Sequence, residues 1–109
     1  MKHLSDPAYQ QRIADLMQGA PLQSKAWIAF DQSVEHADNH LPAKYRELTA
    51  IAVAVALQCP YCIEKHTVKA KELGISREEL AEAVMIASAI RSGATLAYGL
   101  QTMEHFRKA

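Results

Sequence analysis

Apolar residues recur along this chain mostly at helical spacing, and prolines mark where the runs begin. Pro7, Pro21, Pro42 and Pro60 each stand at the start of such a run, where a missing N–H costs no intrahelical bond. Residues 8–18 predict a first helix, ended by Gly19, and residues 22–39 a second with Trp27, Phe30 and Val34 on one face. Residues 43–58 predict a third helix and residues 61–73 a fourth, stopped by Gly74. Ser76 with Glu79 three positions on has the form of a capping box, and it opens a fifth helix running to about residue 106. Ser92-Gly93 is the place where that helix would break, so the count is five to six helices. No repeat or linker interrupts residues 1–109, which predicts one all-α domain: N-terminal helices over 1–40 and a core over 41–100.

The third segment carries a competing signal. Between residues 50 and 57, alanine alternates with Ile51, Val53, Val55 and Leu57, which is a strand period. Helix is still the better reading. Pro42 and the polar turn Lys44-Tyr45-Arg46-Glu47 extend the segment to about 16 residues, long for a strand, and alanine is a poor strand residue. Being apolar all round, this helix should be central or sit in a subunit contact. Residues 81–90 are nearly as apolar, and a small domain has few layers in which to hide two such helices, so a homo-oligomer is expected.

Composition narrows the function classes. Half the residues are hydrophobic, aromatics are only 6% and alanine contributes 19 residues, a balance that suits packed helices better than a sandwich or barrel. Lys+Arg and Asp+Glu tie at 12 each, so there is no global basic charge for nucleic acid and no basic arm for a membrane surface. No apolar run reaches the roughly 20 residues that span a bilayer, and the opening MKHLSDPAYQQR has no apolar signal core. A soluble, cytoplasmic protein is expected.

The chemistry concentrates in Cys59-Pro60-Tyr61-Cys62. A bridge across so short a loop removes little unfolded-state entropy, which points to redox chemistry or a metal rather than a structural staple. With Pro60 as the first helical residue, Cys59 is the N-cap and Cys62 lies in the first turn. Both sulfurs then sit by the positive end of the helix dipole, which favours the nucleophilic thiolate. His66 falls four residues after Cys62 on the same helix face and can take the thiol proton or pair with the thiolate. Glu47 precedes Cys59 by 12 residues, on the helix before it, and eleven residues separate it from Gln58. That is about three turns, so Glu47 can share the face that leads to the cysteines and carry protons there.

Other readings of these residues are blander. Cys59, Cys62 and His66 supply three zinc ligands, but a structural site wants a fourth and no second CxxC or HxxxH partner lies nearby. His36 and His40 form an i, i+4 pair able to hold a metal, though such a pair more often marks a solvated face. His3 and His105 read as terminal surface residues, and Glu47 alone reads as a first-turn acid favoured by the dipole. CPYC in a chain this short also suggests a glutaredoxin. That fold needs about four strands and a later cis-proline facing the motif, whereas Pro60 is the last proline here and the residues before it read as helices.

Glu47, Cys59, Cys62 and His66, in that order and spacing, resemble the core of the carboxymuconolactone decarboxylase superfamily, specifically its alkyl hydroperoxidase (AhpD-like) branch. The resemblance covers residues 41–100, including CPYCIEKHTVKAKELGIS and the glutamate-rich start of the next helix. It implies an all-helical, oligomeric protein, a trimer or hexamer, that reduces hydroperoxides through its cysteine pair. It implies Cys62 as the peroxidatic residue, Cys59 as the resolving one, and Glu47 with His66 as a proton relay. No cofactor is implied; an external dithiol resets the disulfide. Such peroxidases place a histidine directly before the second cysteine, where this chain has Tyr61. A phenol titrates near pH 10 and relays protons poorly at neutral pH, which predicts weaker peroxidase activity or another oxidant. Two alternatives stand beside this reading. One is a non-catalytic oligomer whose cysteines sense redox state or hold a metal. The other is a cofactor-free decarboxylase or lyase acting through Glu47 and His66.

Overall fold

The computed structural model describes residues 6–109, and His3 lies outside them. Five helices and no strand occur among the described residues: α1 Pro7–Gly19, α2 Pro21–Val34, α3 Ala43–Ala56, α4 Pro60–Glu72 and α5 Arg77–Lys108. Pro7, Pro21 and Pro60 open α1, α2 and α4, and the Asp6 carboxylate caps α1 by accepting from the Ala8 N–H at 2.9 Å. The alternating stretch at residues 50–57 lies in and just past α3, so the strand reading and the glutaredoxin fold fail together.

Helix α3 is the central element, packing against both α4 and α5, while α1 packs on α2. Its buried residues Glu47, Ile51 and Ala54 recur at helical spacing and form one inward stripe. Ile51 meets Ala70 of α4 and Ile75 of the α4–α5 turn, with Leu48 and Leu80 closing the cluster. On α5 the buried positions are Ala83 and Ala87, small residues that let two helices approach closely.

Two expected boundaries differ. Helix α2 ends at Val34, not near residue 39. The N–H groups of Glu35 and His36 turn to i−3 carbonyls at 3.1 and 3.3 Å, and the Asn39 amide donates to the carbonyls of Ser33 and Val34 at 2.8 and 3.0 Å. A side chain that satisfies the last carbonyls from outside ends the helix. Helix α5 runs unbroken through Ser92-Gly93. A lone glycine costs about 1 kcal/mol against alanine but, unlike proline, removes no hydrogen bond. By length and composition α5 is also long and apolar enough to cross a membrane. Polar residues interleave with its apolar ones, which is why no continuous apolar run revealed it.

Candidate active site

The site begins at the turn between α3 and α4. Gln58 has φ +56°, its N–H donates to the Val55 carbonyl at 3.2 Å, and the Cys59 N–H donates to the Ala54 carbonyl at 3.0 Å. This is a Schellman ending with a glutamine where glycine is usual. It reverses the chain so that Cys59 becomes the N-cap of α4, its sulfur accepting from the Cys62 N–H at 3.3 Å. Cys59 and Cys62 are joined as a disulfide with Cα atoms 5.4 Å apart, a separation that a bridge spans without backbone movement.

One turn on from Cys62, His66 Nδ1 lies 2.6 Å from Glu47 Oε2. Glu47 has 0% exposure, the only polar or charged residue buried to that degree among the described residues. With Glu47 as the carboxylate, Nδ1–H donates to it, which leaves Nε2 as the ring nitrogen that carries the lone pair. The structure thus brings Glu47 of α3 to His66 of α4, and Cys59 to Cys62. It places Glu47 against the imidazole rather than against a sulfur.

Two residues outside the predicted set join the site. Arg46, 15% exposed, holds Nε 3.6 Å from the other Glu47 oxygen, so the carboxylate lies between two basic groups. Tyr9 of α1 stacks on Tyr61, the residue between the cysteines, with ring centroids 5.7 Å apart and planes at 21°. An arginine beside a glutamate in an apolar helix was a readable sign for Arg46, whereas no local pattern tied Tyr9 to the motif.

The histidine pair separates from the site. His36 and His40 lie beyond the end of α2, so they do not share a helix face as an i, i+4 pair. The His36 ring instead accepts from the Asp38 N–H at 3.1 Å. His105 lies exposed in the last turn of α5.

Residues 21–105 match the carboxymuconolactone decarboxylase family. Uncharacterized protein 4 in the cox locus of Paracoccus denitrificans is 32% identical over 98 residues, 90% of this chain and 87% of that protein. A crystal structure of a carboxymuconolactone decarboxylase family protein from Legionella pneumophila, in its apo form, superimposes with a TM-score of 0.65 at 31% identity. It covers 91% of this chain and 88% of that one. A Methanobacterium thermoautotrophicum protein superimposes with a TM-score of 0.74 at 27% identity, covering 83% of this chain and 97% of that one.

Proposed function

This chain belongs to the carboxymuconolactone decarboxylase family, and from that premise we propose that it is a thiol-dependent peroxidase that reduces hydroperoxides through Cys62 and Cys59. The observation that carries the reading is the Cys59–Cys62 disulfide at the N-terminus of α4, one turn from an imidazole hydrogen-bonded to a buried carboxylate. A structural staple needs no such base.

In the reduced protein, His66 takes the Cys62 thiol proton, and the helix N-terminus stabilises the thiolate. The Cys62 sulfur attacks the terminal oxygen of ROOH. An S–O bond forms, the O–O bond breaks, and the departing alkoxide receives the proton from His66 to leave as ROH. The sulfur loses two electrons and the peroxide gains them. The Cys59 thiol then attacks the sulfenic sulfur; the S–S bond forms, the S–O bond breaks, and the hydroxide takes the thiol proton and leaves as water. A dithiol reduces the disulfide and becomes a disulfide itself. Glu47 keeps the imidazole oriented and balances its charge while it holds the proton.

Trapping the intermediate tests this. Cys59→Ser should complete the first attack and accumulate a sulfenic acid at Cys62, detectable with a dimedone-type reagent. Cys62→Ser should consume no peroxide. Adduct at Cys59 in the Cys62→Ser protein would reverse the assignment, and parent rates in both variants would end the peroxidase reading. A lyase reading has one observation in its favour, since the Glu47–His66 pair needs no cysteine to move a proton. It predicts turnover of a small carboxylated substrate that survives replacement of both cysteines.

A further inference from the structure

Tyr61 occupies the second helical position of α4, between the two bridged cysteines, and Tyr9 of α1 lies against its ring with centroids 5.7 Å apart and planes at 21°. This is the one stacked ring pair among the described residues. Tyr9 is half-buried, although no residue of α1 is fully buried. Helix α1 packs on α2, and α2 is tied to α4 by two ion pairs between partly exposed side chains, Lys65–Asp31 at 3.6 Å and Lys69–Glu35 at 3.5 Å. Exposed pairs of this kind hold weakly in water, whereas a ring stack also removes apolar surface from it.

The bridge and the stack constrain the same short segment. With Cys59 joined to Cys62 and the φ of Pro60 fixed by its ring, the backbone of Tyr61 has little freedom left. Its side chain is then presented to Tyr9 at small further cost in entropy. Without the bridge, the first turn of α4 regains the freedom usual at a helix start, and the stack must order Tyr61 as well. The stack therefore forms more readily on the disulfide than on the dithiol. Linkage makes the effect reciprocal: a contact favoured by the disulfide favours the disulfide by the same factor.

Resting on the redox-active cysteine pair of the reading above, we propose that Tyr9 is a positioning residue for that pair. It acts through Tyr61 to favour the disulfide state, and α1 is released when the pair is reduced. In reduction by a thiol such as glutathione, two thiol molecules become one disulfide. The Cys59–Cys62 bond breaks, an S–S bond forms in the reductant, and two electrons and two protons pass to the cysteines. Loss of the bridge loosens the stack, so α1 is freest in the dithiol form, the one that meets the oxidant.

The disulfide–dithiol equilibrium provides the test. Full-length parent and variant proteins, equilibrated in glutathione redox buffers and then alkylated, give the reduced fraction by mass. Tyr9→Ala should shift the equilibrium toward the dithiol by about threefold, within what one ring pair supplies. Tyr9→Leu, which keeps apolar bulk on α1 without a ring, should act in the same direction. Tyr9→Phe keeps the ring and should titrate with the parent. In a Tyr61→Leu background, Tyr9→Ala should shift the equilibrium no further, since the partner ring is gone. Hydrogen exchange of the α1 amides should quicken when the parent is reduced, and should be alike in both redox states of Tyr9→Ala. Equal equilibria in the parent, Tyr9→Ala and Tyr9→Leu, a shift toward the disulfide, or a full shift in Tyr9→Phe would overturn the proposal and spare the peroxidase. A full effect of Tyr9→Ala in the Tyr61→Leu background would overturn it likewise, because Tyr9 would not be acting through Tyr61. Exchange of α1 that ignores the redox state of the parent would overturn the release. A pair that forms no disulfide in any buffer would overturn the peroxidase, and the role of Tyr9 with it.

Discussion

Glu47 is a carboxylate without exposed surface in a helix that is otherwise largely apolar, and among the described residues its charge is met by His66 and Arg46. Removing one member of a buried charged set strands the others, which typically costs about 3–5 kcal/mol. Glu47→Ala should therefore destabilise the fold by about 3 kcal/mol, read as a lower urea midpoint. Glu47→Gln keeps the shape and one acceptor and should cost less than Glu47→Ala; equal losses in the two would show that the charge of the carboxylate, not its packing volume, holds α3 to α4. His66→Ala addresses the chemistry. It removes the imidazole one turn from Cys62, so on the proposed peroxidase mechanism the first step should slow and its pH–rate profile should move to higher pH, because less thiolate is then present at pH 7. An unchanged profile in stopped-flow measurements would remove His66 from the relay. Cys59, Cys62, His66 and Glu47 were legible in the sequence because each is tied to the next by helical spacing or by one tight turn. The Glu47–His66 contact itself needed the angle between α3 and α4, and Tyr9 needed the path of a whole hairpin; neither is a local property.

Each of the two helices that frame the site ends in the same hydrogen-bond pattern, with opposite residue choices. After α4, Gly74 takes φ +76° while Gly74 and Ile75 donate to the Lys71 and Ala70 carbonyls, and Ile75 drops into the core. After α3, Gln58 takes the left-handed position at φ +56°, where a residue with a Cβ is disfavoured by roughly 1–2 kcal/mol. Gln58→Gly should accordingly raise stability by about 1 kcal/mol in equilibrium unfolding; a loss would mean that the glutamine side chain contributes more than its backbone costs. At the far end of α3, Lys44 Nζ lies 2.5 Å from Glu79 Oε2 of the α5 capping box, tying the starts of α3 and α5 together. The hydrogen bond from Lys44, and then that from the Ser76 N–H, hold the Glu79 carboxyl down at about 2, while Glu79 in turn raises Lys44. A depressed folded-state value stabilises above the carboxyl's ordinary value of 4.5 and is lost as pH falls toward 2. Glu79→Gln should therefore flatten the acid limb of the stability profile over that window and leave it unchanged near neutrality in shape; an identical acid limb in both proteins would deny the link. The capping box was readable because Ser76 and Glu79 lie three apart, and its lysine partner was not, because Lys44 arrives from another helix. The end of α2 was misread for a related reason: Asn39 stops it through carbonyls five and six residues back, beyond the reach of a proline-and-glycine reading.

One chain leaves this fold unfinished. Its radius of gyration is 18.3 Å, with extents of 52 × 37 × 31 Å, whereas a compact domain of about 100 residues has a radius near 13 Å. The excess comes from how the helices are joined: α3 holds α4 and α5, α1 holds α2, and the C-terminal half of α5 stands clear. There Leu96, Tyr98, Leu100, Met103 and Phe106 are exposed, Phe106 to 79%, and Trp27 and Phe30 of α2 are exposed as well. Soluble monomers rarely expose apolar surface on this scale. A lipid bilayer would cover α5 equally by length, but Gln101, Glu104 and Arg107 in its last turns, with Lys108 paired to Glu104 at 3.0 Å, suit a helix packed in water against other helices. The apolar character of α3 and α5 was visible in the sequence, but it did not show that α3 would find its partners within the chain and the end of α5 would not. We therefore predict that the protein is a homo-oligomer, a trimer or hexamer, with the C-terminal half of α5 in the subunit contact. Light scattering at micromolar concentration without detergent should give a multiple of 12.1 kDa. Leu96→Glu together with Phe106→Glu should shift that mass down while leaving the helical circular dichroism of α3 and α4 in place, because neither residue touches the Ile51 cluster. A parent mass near that of one chain would overturn the prediction, and an unaltered multimer in the double variant would move the contact to the α1–α2 face.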